Sequence, residues 1–170
     1  MNDHAGHLYG ARDTTHELPI SPTVLSSLPT EPNARRQALA AELAANPRWR
    51  YAVDLFTEGF YWEAHEAWES FWHALGRTTP EAQFVQGLIH LAAACVKIRE
   101  GKPQGVIRHR QRARELLGDL GAAQTGGALG LAPESILAVL RELERYRPEC
   151  WHTSRTPVVR VLAENLRLAE

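Results

Sequence analysis

The segment from Phe60 to His73 constrains the fold of this chain most strongly, because it separates cleanly onto two faces of an α-helix. It contains three of the five tryptophans, and residues three or four positions apart share a helix face. The apolar arc comprises Tyr61, Ala64, Trp68, Phe71 and Trp72. The polar stripe beside it comprises His65, Glu66, Glu69 and His73. An amphipathic helix needs a polar face but no His-Glu-x-x-Glu pattern beside aromatic residues, so the segment also indicates a functional site.

Helical periodicity continues along the chain, bounded by proline and glycine. The other predicted helices run over about 34–45, 48–57, 80–99, 103–117 and 133–146, and Asn33 is the predicted cap of the first of them. The 80–99 segment is apolar nearly all the way round, which is typical of a helix buried on most sides. No pair of alternating segments is long enough to build a sheet. The sequence therefore predicts an all-α fold, a compact bundle of five or six helices around a central buried helix at about 80–99.

Outside these helices, we expect residues 1–32 to form a disordered tail, since they show no sustained periodicity. The helical domain is predicted to span 33–147, with a glycine-rich loop over 118–130. Residues 148–170 are expected to be partly extended, to end in a short helix, and to pack on the domain.

Charge, hydropathy and cysteine content argue against a nucleic-acid-binding protein, a membrane protein and a disulfide-stabilised protein. The net charge of -1 gives no sign of a nucleic-acid partner, and no apolar run is long enough to span a membrane. Cys95 and Cys150 form neither a disulfide framework nor a metal motif, and Cys95 lies in an apolar run. We therefore expect a cytoplasmic protein, with a protein partner or a homo-oligomer left open.

Two motifs resemble the family named domain of unknown function 309, a group of small, mostly prokaryotic, all-helical proteins. The residues that carry the resemblance are Glu63, Ala64, His65, Glu66, Glu69, Trp72, Gln86, Gly87, Leu88 and Ile89. The resemblance covers about 48–117, and neither the N-terminal tail nor the region beyond Gly118. It implies an all-helical fold and supplies no activity.

The residue types within this span favour a metal centre or an acid–base centre between two helices. His65 and Glu69 on one helix, with Gln86 and His90 on the next, offer ligands from two rigid elements. Glu66 is the candidate catalytic residue, as a general base, and could instead be a further ligand or an outer-shell partner. A divalent metal is therefore a possible cofactor, although the sequence names no reaction. The candidate supporting residues are Trp62, which we expect at a pocket rim, Glu63, and Lys97, which could pair with Glu66 or Glu69 or reach solvent.

Two alternatives remain open at this stage. In the first, His65, Glu69, Gln86 and His90 form a buried hydrogen-bond network that only fixes the register of the helices. In the second, the hairpin of helices is an interaction module whose basic surface binds an acidic or phosphorylated partner. The residues of that surface are Arg108, His109 and Arg112.

Overall fold

A computed structural model describes residues 18–118, 128–151, 153–156 and 158–169. These residues form seven α-helices and no strand, which confirms the predicted all-α class. The helices are α1 (Pro22–Ser27), α2 (Pro32–Ala45), α3 (Pro47–Glu58), α4 (Tyr61–Ala74), α5 (Pro80–Arg99), α6 (Pro103–Leu117) and α7 (Pro133–Arg145). A short 3-10 turn follows at Pro148–Cys150. None of the described helices combines the length and the apolar character needed to cross a bilayer.

Proline marks the beginning of every helix except α4. Its fixed φ suits the first helical position, where no backbone N–H is needed. Pro32 therefore starts α2, and the side chain of Glu31 caps it by accepting from the N–H groups of Asn33 (3.1 Å) and Ala34 (2.7 Å). The prediction of Asn33 as the cap is wrong, because Pro32 sets the helix start two residues earlier, which makes Glu31 the cap.

The central helix is α5, which packs between α4 and α6. Twelve of its residues are buried between Ala82 and Ile98, as its nearly uniform apolar character predicts. Gly87 lets α6 approach closely, since a Cβ atom there would lie 2.5 Å from Cγ of Leu117. On the other side of the core, Trp49 of α3 meets Phe71 of α4 edge-on, with 5.1 Å between ring centroids. Helices α4, α5 and α6 thus form one continuous packed layer.

The ends of the chain differ from the prediction in two places. Helix α1 lies in the segment for which a disordered tail is predicted, and the residues that flank it, Ile20 and Leu28, are buried. The side chain of Asn46 anchors this segment by donating to the carbonyl oxygen of Pro19 (2.7 Å). Residues 1–17 of the predicted tail and 119–127 of the predicted loop lie outside the described residues. The short helix expected near the C-terminus is absent from residues 158–169.

Residues 153–156 and 158–169, here called the C-terminal strap, cross the bundle as non-helical chain and bury Val161, Leu162 and Leu166. Backbone N–H groups of the strap donate to side chains of the helices, because buried amides need hydrogen-bond partners. The N–H of Val161 donates to the hydroxyl of Tyr61 (3.0 Å). The carboxylate of Glu142 on α7 accepts from the N–H groups of residues 163 and 164, each at 2.8 Å. The strap therefore ties α4 to α7.

Candidate functional site

A pair of histidines lies between α5 and α6. Nδ1 of His90 and Nδ1 of His109 are 2.9 Å apart and share a hydrogen bond, and the ring centroids are 5.2 Å apart. Both side chains are partly buried. The turn at Gly101, whose φ of 65° suits glycine, folds α6 back along α5. His90 and His109 stand 19 residues apart with that turn midway between them, which places them face to face.

A third histidine, His65 of α4, lies close enough to influence both rings electrostatically. Its ring stacks on the indole of Trp62, with centroids 5.3 Å apart and planes 3° from parallel. Its Nδ1 is buried and has no hydrogen-bond partner among the described residues. Burial lowers the pKa values of His90 and His109 most, and His65 is one of the neighbours that lower them further. We call His65, His90 and His109 the histidine cluster; it draws one ring from each of three packed helices.

The surroundings of His90 disfavour its protonated form. Burial contributes most, and the positive charges of His109, Arg112, His65 and Arg108 follow, so that the pKa of His90 falls to about 4. Removing an imidazolium from water and placing it near other cations both favour the neutral ring. His90 is therefore neutral at pH 7.

The surroundings of His109 act in the same direction. Burial lowers its pKa most, followed by nearby cations. The neighbours that lower it are Arg108, Lys97 and His65, in decreasing order. Lys97 pairs with Glu100 (2.7 Å), whereas Arg108 is exposed and forms no ion pair with any described residue. His90 and His109 are thus two rings whose pKa values are lowered by burial first and by nearby arginine and lysine side chains next.

The remaining residues of the predicted centre do not join the cluster. Glu69 and Gln86 are partly buried and Glu66 is exposed, and none of the three forms a side-chain hydrogen bond or ion pair with a described residue. The predicted network of His65, Glu69, Gln86 and His90 is therefore not formed, because the α5–α6 hairpin gives His90 a partner on α6.

The predicted metal centre is also not supported. Within the described parts of the chain, no three His, Cys, Asp or Glu side chains are placed so that they could hold a metal ion. The electrostatics agree, since the charges acting on His90 and His109 are positive.

The predicted supporting residues lie at the edge of this surface. Lys97 pairs with Glu100, and not with Glu66 or Glu69. The spacing explains this difference, since residues 97 and 100 are one helical turn apart at the end of α5. Trp62 is 54% exposed and, together with Glu63, lines a groove of about 400 Å³.

The sequence pattern assigned His109 to a separate basic surface and did not indicate its pairing with His90. His90 and His109 lie at similar distances in sequence before and after the α5–α6 turn. This spacing predicts a contact between them only once the two helices are known to pack side by side.

The fold and the site together define an all-α bundle with a histidine cluster where three helices meet. The family model described as "Domain of unknown function (DUF309)" matches residues 49–109, which confirms the resemblance. The matched segment runs from α3 into α6 and includes all three histidines of the cluster. A comparison with curated proteins finds no match, and a comparison with solved structures finds none either.

Proposed function

We propose that the protein binds a small anion, one bearing a phosphate or carboxylate group, at the histidine cluster. One observation carries the proposal: a partly buried, hydrogen-bonded pair of imidazoles lies within electrostatic reach of two arginines, Arg108 and Arg112. Burial and the neighbouring cations oppose protonation of His90 and His109, and an anion placed beside the rings would offset that repulsion. Such a site attracts negative charge before any specific contact forms.

The side chains near the histidine pair are suited to binding an anion. Because the two neutral rings share one proton between their Nδ1 atoms, one ring keeps a free Nε2–H donor. The guanidinium of Arg108 presents a planar fork that matches phosphate or carboxylate oxygens. Arg112 is partly engaged with Glu115 at 2.9 Å, which leaves Arg108 as the principal free cation among the described residues near the pair. We propose binding alone; no catalytic role follows for Glu66, which is exposed. We place this binding in a reducing cytoplasm, which the buried free thiol of Cys95 supports.

Inorganic phosphate is the first probe, with chloride at matched ionic strength as the reference. We expect phosphate to raise the melting temperature of the wild-type protein and to shift the ring NMR signals of His90 and His109. Arg108→Gln should weaken phosphate binding about tenfold, the loss expected for one charge-assisted hydrogen bond. Arg50→Gln on α3 is the matched control, since it removes an exposed arginine outside the cluster, and it should bind phosphate as the wild type does.

A melting temperature and ring signals that do not respond to phosphate would refute the proposal. A parallel titration with Zn²⁺ addresses the metal hypothesis. Stoichiometric Zn²⁺ binding that disappears in His65→Ala, in a protein silent to phosphate, would replace anion binding by a metal centre.

A further inference from the structure

A second concave surface, here called the Trp62 groove, lies between the beginning of α4, the end of α5 and the C-terminal strap. Its first part, of about 400 Å³, is lined by Trp62, Glu63, Val96, Arg99, Glu100 and Ser154. Arg99, Glu100 and Ser154 also line a hollow of about 580 Å³ that extends to Arg155. Each part is within the range of volumes that bind small molecules, about 300–1,000 Å³.

Trp62 is placed as a stacking platform. Its indole is held parallel to the imidazole of His65, with centroids 5.3 Å apart, so the ring does not need to be ordered by a ligand. It remains 54% exposed, whereas Trp49 and Trp68 are fully buried. An immobilised aromatic face on the wall of a groove favours a planar ring as its partner.

Positive charge lies in the part of the groove beyond Trp62. Arg99 is anchored by donating from Nη2 to the carbonyl oxygen of Thr156 (2.5 Å), a neutral acceptor that leaves its charge uncompensated. Arg155 is exposed and forms no ion pair with any described residue. The carboxylate of Glu100 is already matched by Lys97 and by a second lysine, Lys102, at 3.0 Å.

Glu63 is the remaining carboxylate of the groove, and it forms no ion pair with a described residue. It is adjacent in sequence to Trp62, at the beginning of α4. Arg99 and Arg155 therefore outnumber the free carboxylate, and Arg99 lines both parts of the groove. The groove offers an aromatic surface at one end and a pair of arginines towards the other.

From this arrangement we propose that the Trp62 groove binds a small planar aromatic molecule bearing a phosphate or carboxylate group. The ring stacks on Trp62, and the anionic group contacts Arg99 and Arg155. This site adjoins the histidine cluster through the stack of Trp62 on His65, and its ligand need not be the anion proposed there.

Isothermal titration calorimetry tests the proposal with two probes, adenosine 5′-monophosphate for the phosphate class and indole-3-acetate for the carboxylate class. Binding of either supports the proposal and identifies the anionic group; binding of neither overturns it. Trp62→Ala should weaken binding about tenfold or more, as expected for the loss of one aromatic stack. Arg155→Gln should weaken it about tenfold, as expected for one charge-assisted contact. Tyr51→Ala and Arg50→Gln, exposed positions on α3, are the matched controls and should not change binding.

Two part-ligands and one cross-check separate this site from the histidine cluster. Adenosine lacks the charge and ribose 5-phosphate lacks the ring, so both should bind at least about tenfold more weakly than the nucleotide. Equal affinity of either part-ligand and the nucleotide overturns the proposal. Nucleotide binding that survives Trp62→Ala but is lost in Arg108→Gln would assign the nucleotide to the histidine cluster and also overturn it.

Discussion

At the scale of single residues, the histidine pair shows how burial and charge combine at one position. Burial alone would lower the pKa of His90, and the cations around it lower the same value further, to about 4. His109 is lowered for the same reasons. The Nδ1 atoms face each other at 2.9 Å, where only one proton fits between them. The native fold therefore selects neutral rings.

This selection predicts a pH dependence of stability. Because the pKa of His90 is lower in the folded chain than its ordinary value of 6.5, the unfolded chain takes up the proton first as pH falls. The stabilisation is complete above about pH 6.5 and is lost progressively towards pH 4. Between pH 7 and 5 we expect the free energy of unfolding to fall by about 1–2 kcal/mol, a value reduced for the partial exposure of the ring.

Urea unfolding at pH 7, 6 and 5 measures this change. Ordinary carboxylates, with pKa values near 4, are mostly ionised in this window, and they are the same in the wild type and the variant. His90→Gln should show a smaller loss of stability over the same window than the wild-type protein. An equal loss in both proteins would show that His90 is not responsible.

At the scale of helices, most element boundaries follow from local chemistry. Because proline marks helix starts and glycine marks turns, the predicted bounds of α2 to α7 agree with the observed bounds within one or two residues. Helix α1 was not foreseen because it has six residues and buries none of them; its position depends on Ile20 and Leu28, which flank it. A helix without its own apolar stripe leaves no periodicity to detect.

The crossing of α5 and α6 leads to a prediction at this scale. Gly87→Ala should destabilise the protein by about 1–3 kcal/mol, because the new methyl group overlaps a packed side chain. That side chain belongs to Leu117, which is fully buried and whose Cγ lies 2.5 Å from the position that the new methyl carbon would take. The loss should occur although alanine favours a helix over glycine by about 1 kcal/mol.

Chemical unfolding compares this variant with Gly118→Ala. A Cβ atom at Gly118 would have its nearest neighbour at 3.8 Å, on Arg114, so this control should be neutral or stabilised by up to about 1 kcal/mol. Equal stability of the two alanine variants would contradict the close approach of α5 and α6.

At the scale of the whole molecule, the C-terminal strap joins elements that are distant in sequence. Tyr61 at the beginning of α4 is buried, and its hydroxyl accepts from the N–H of Val161. Burial raises the pKa of Tyr61 above its ordinary value, so the hydroxyl stays protonated. Gly59 just before it has a φ of 91° and would place a Cβ atom 2.8 Å from the backbone nitrogen of Arg160. The strap therefore packs closely against the α3–α4 turn, with no room for a side chain at Gly59.

Removal of this contact should weaken the attachment of the strap. Tyr61→Phe leaves the N–H of Val161 buried without an acceptor, at an expected cost of about 1–3 kcal/mol. Tyr51→Phe, at a position 62% exposed, is the control and should be neutral. Hydrogen exchange should be faster at the amide of Val161 in the Tyr61 variant alone, and unchanged exchange there would contradict the assigned contact.

The sequence by itself determined the all-α class, the central position of α5, the bounds of most helices and the resemblance to the domain of unknown function 309. These properties depend on neighbours within one or two helical turns, which periodicity, proline and glycine report directly. Only the tertiary structure decided the partner of His90, the isolation of Glu69 and Gln86, and the path of the strap. Each of those depends on which residues meet across packed helices, and a helix can present the same polar stripe to a neighbour, to a cavity or to water.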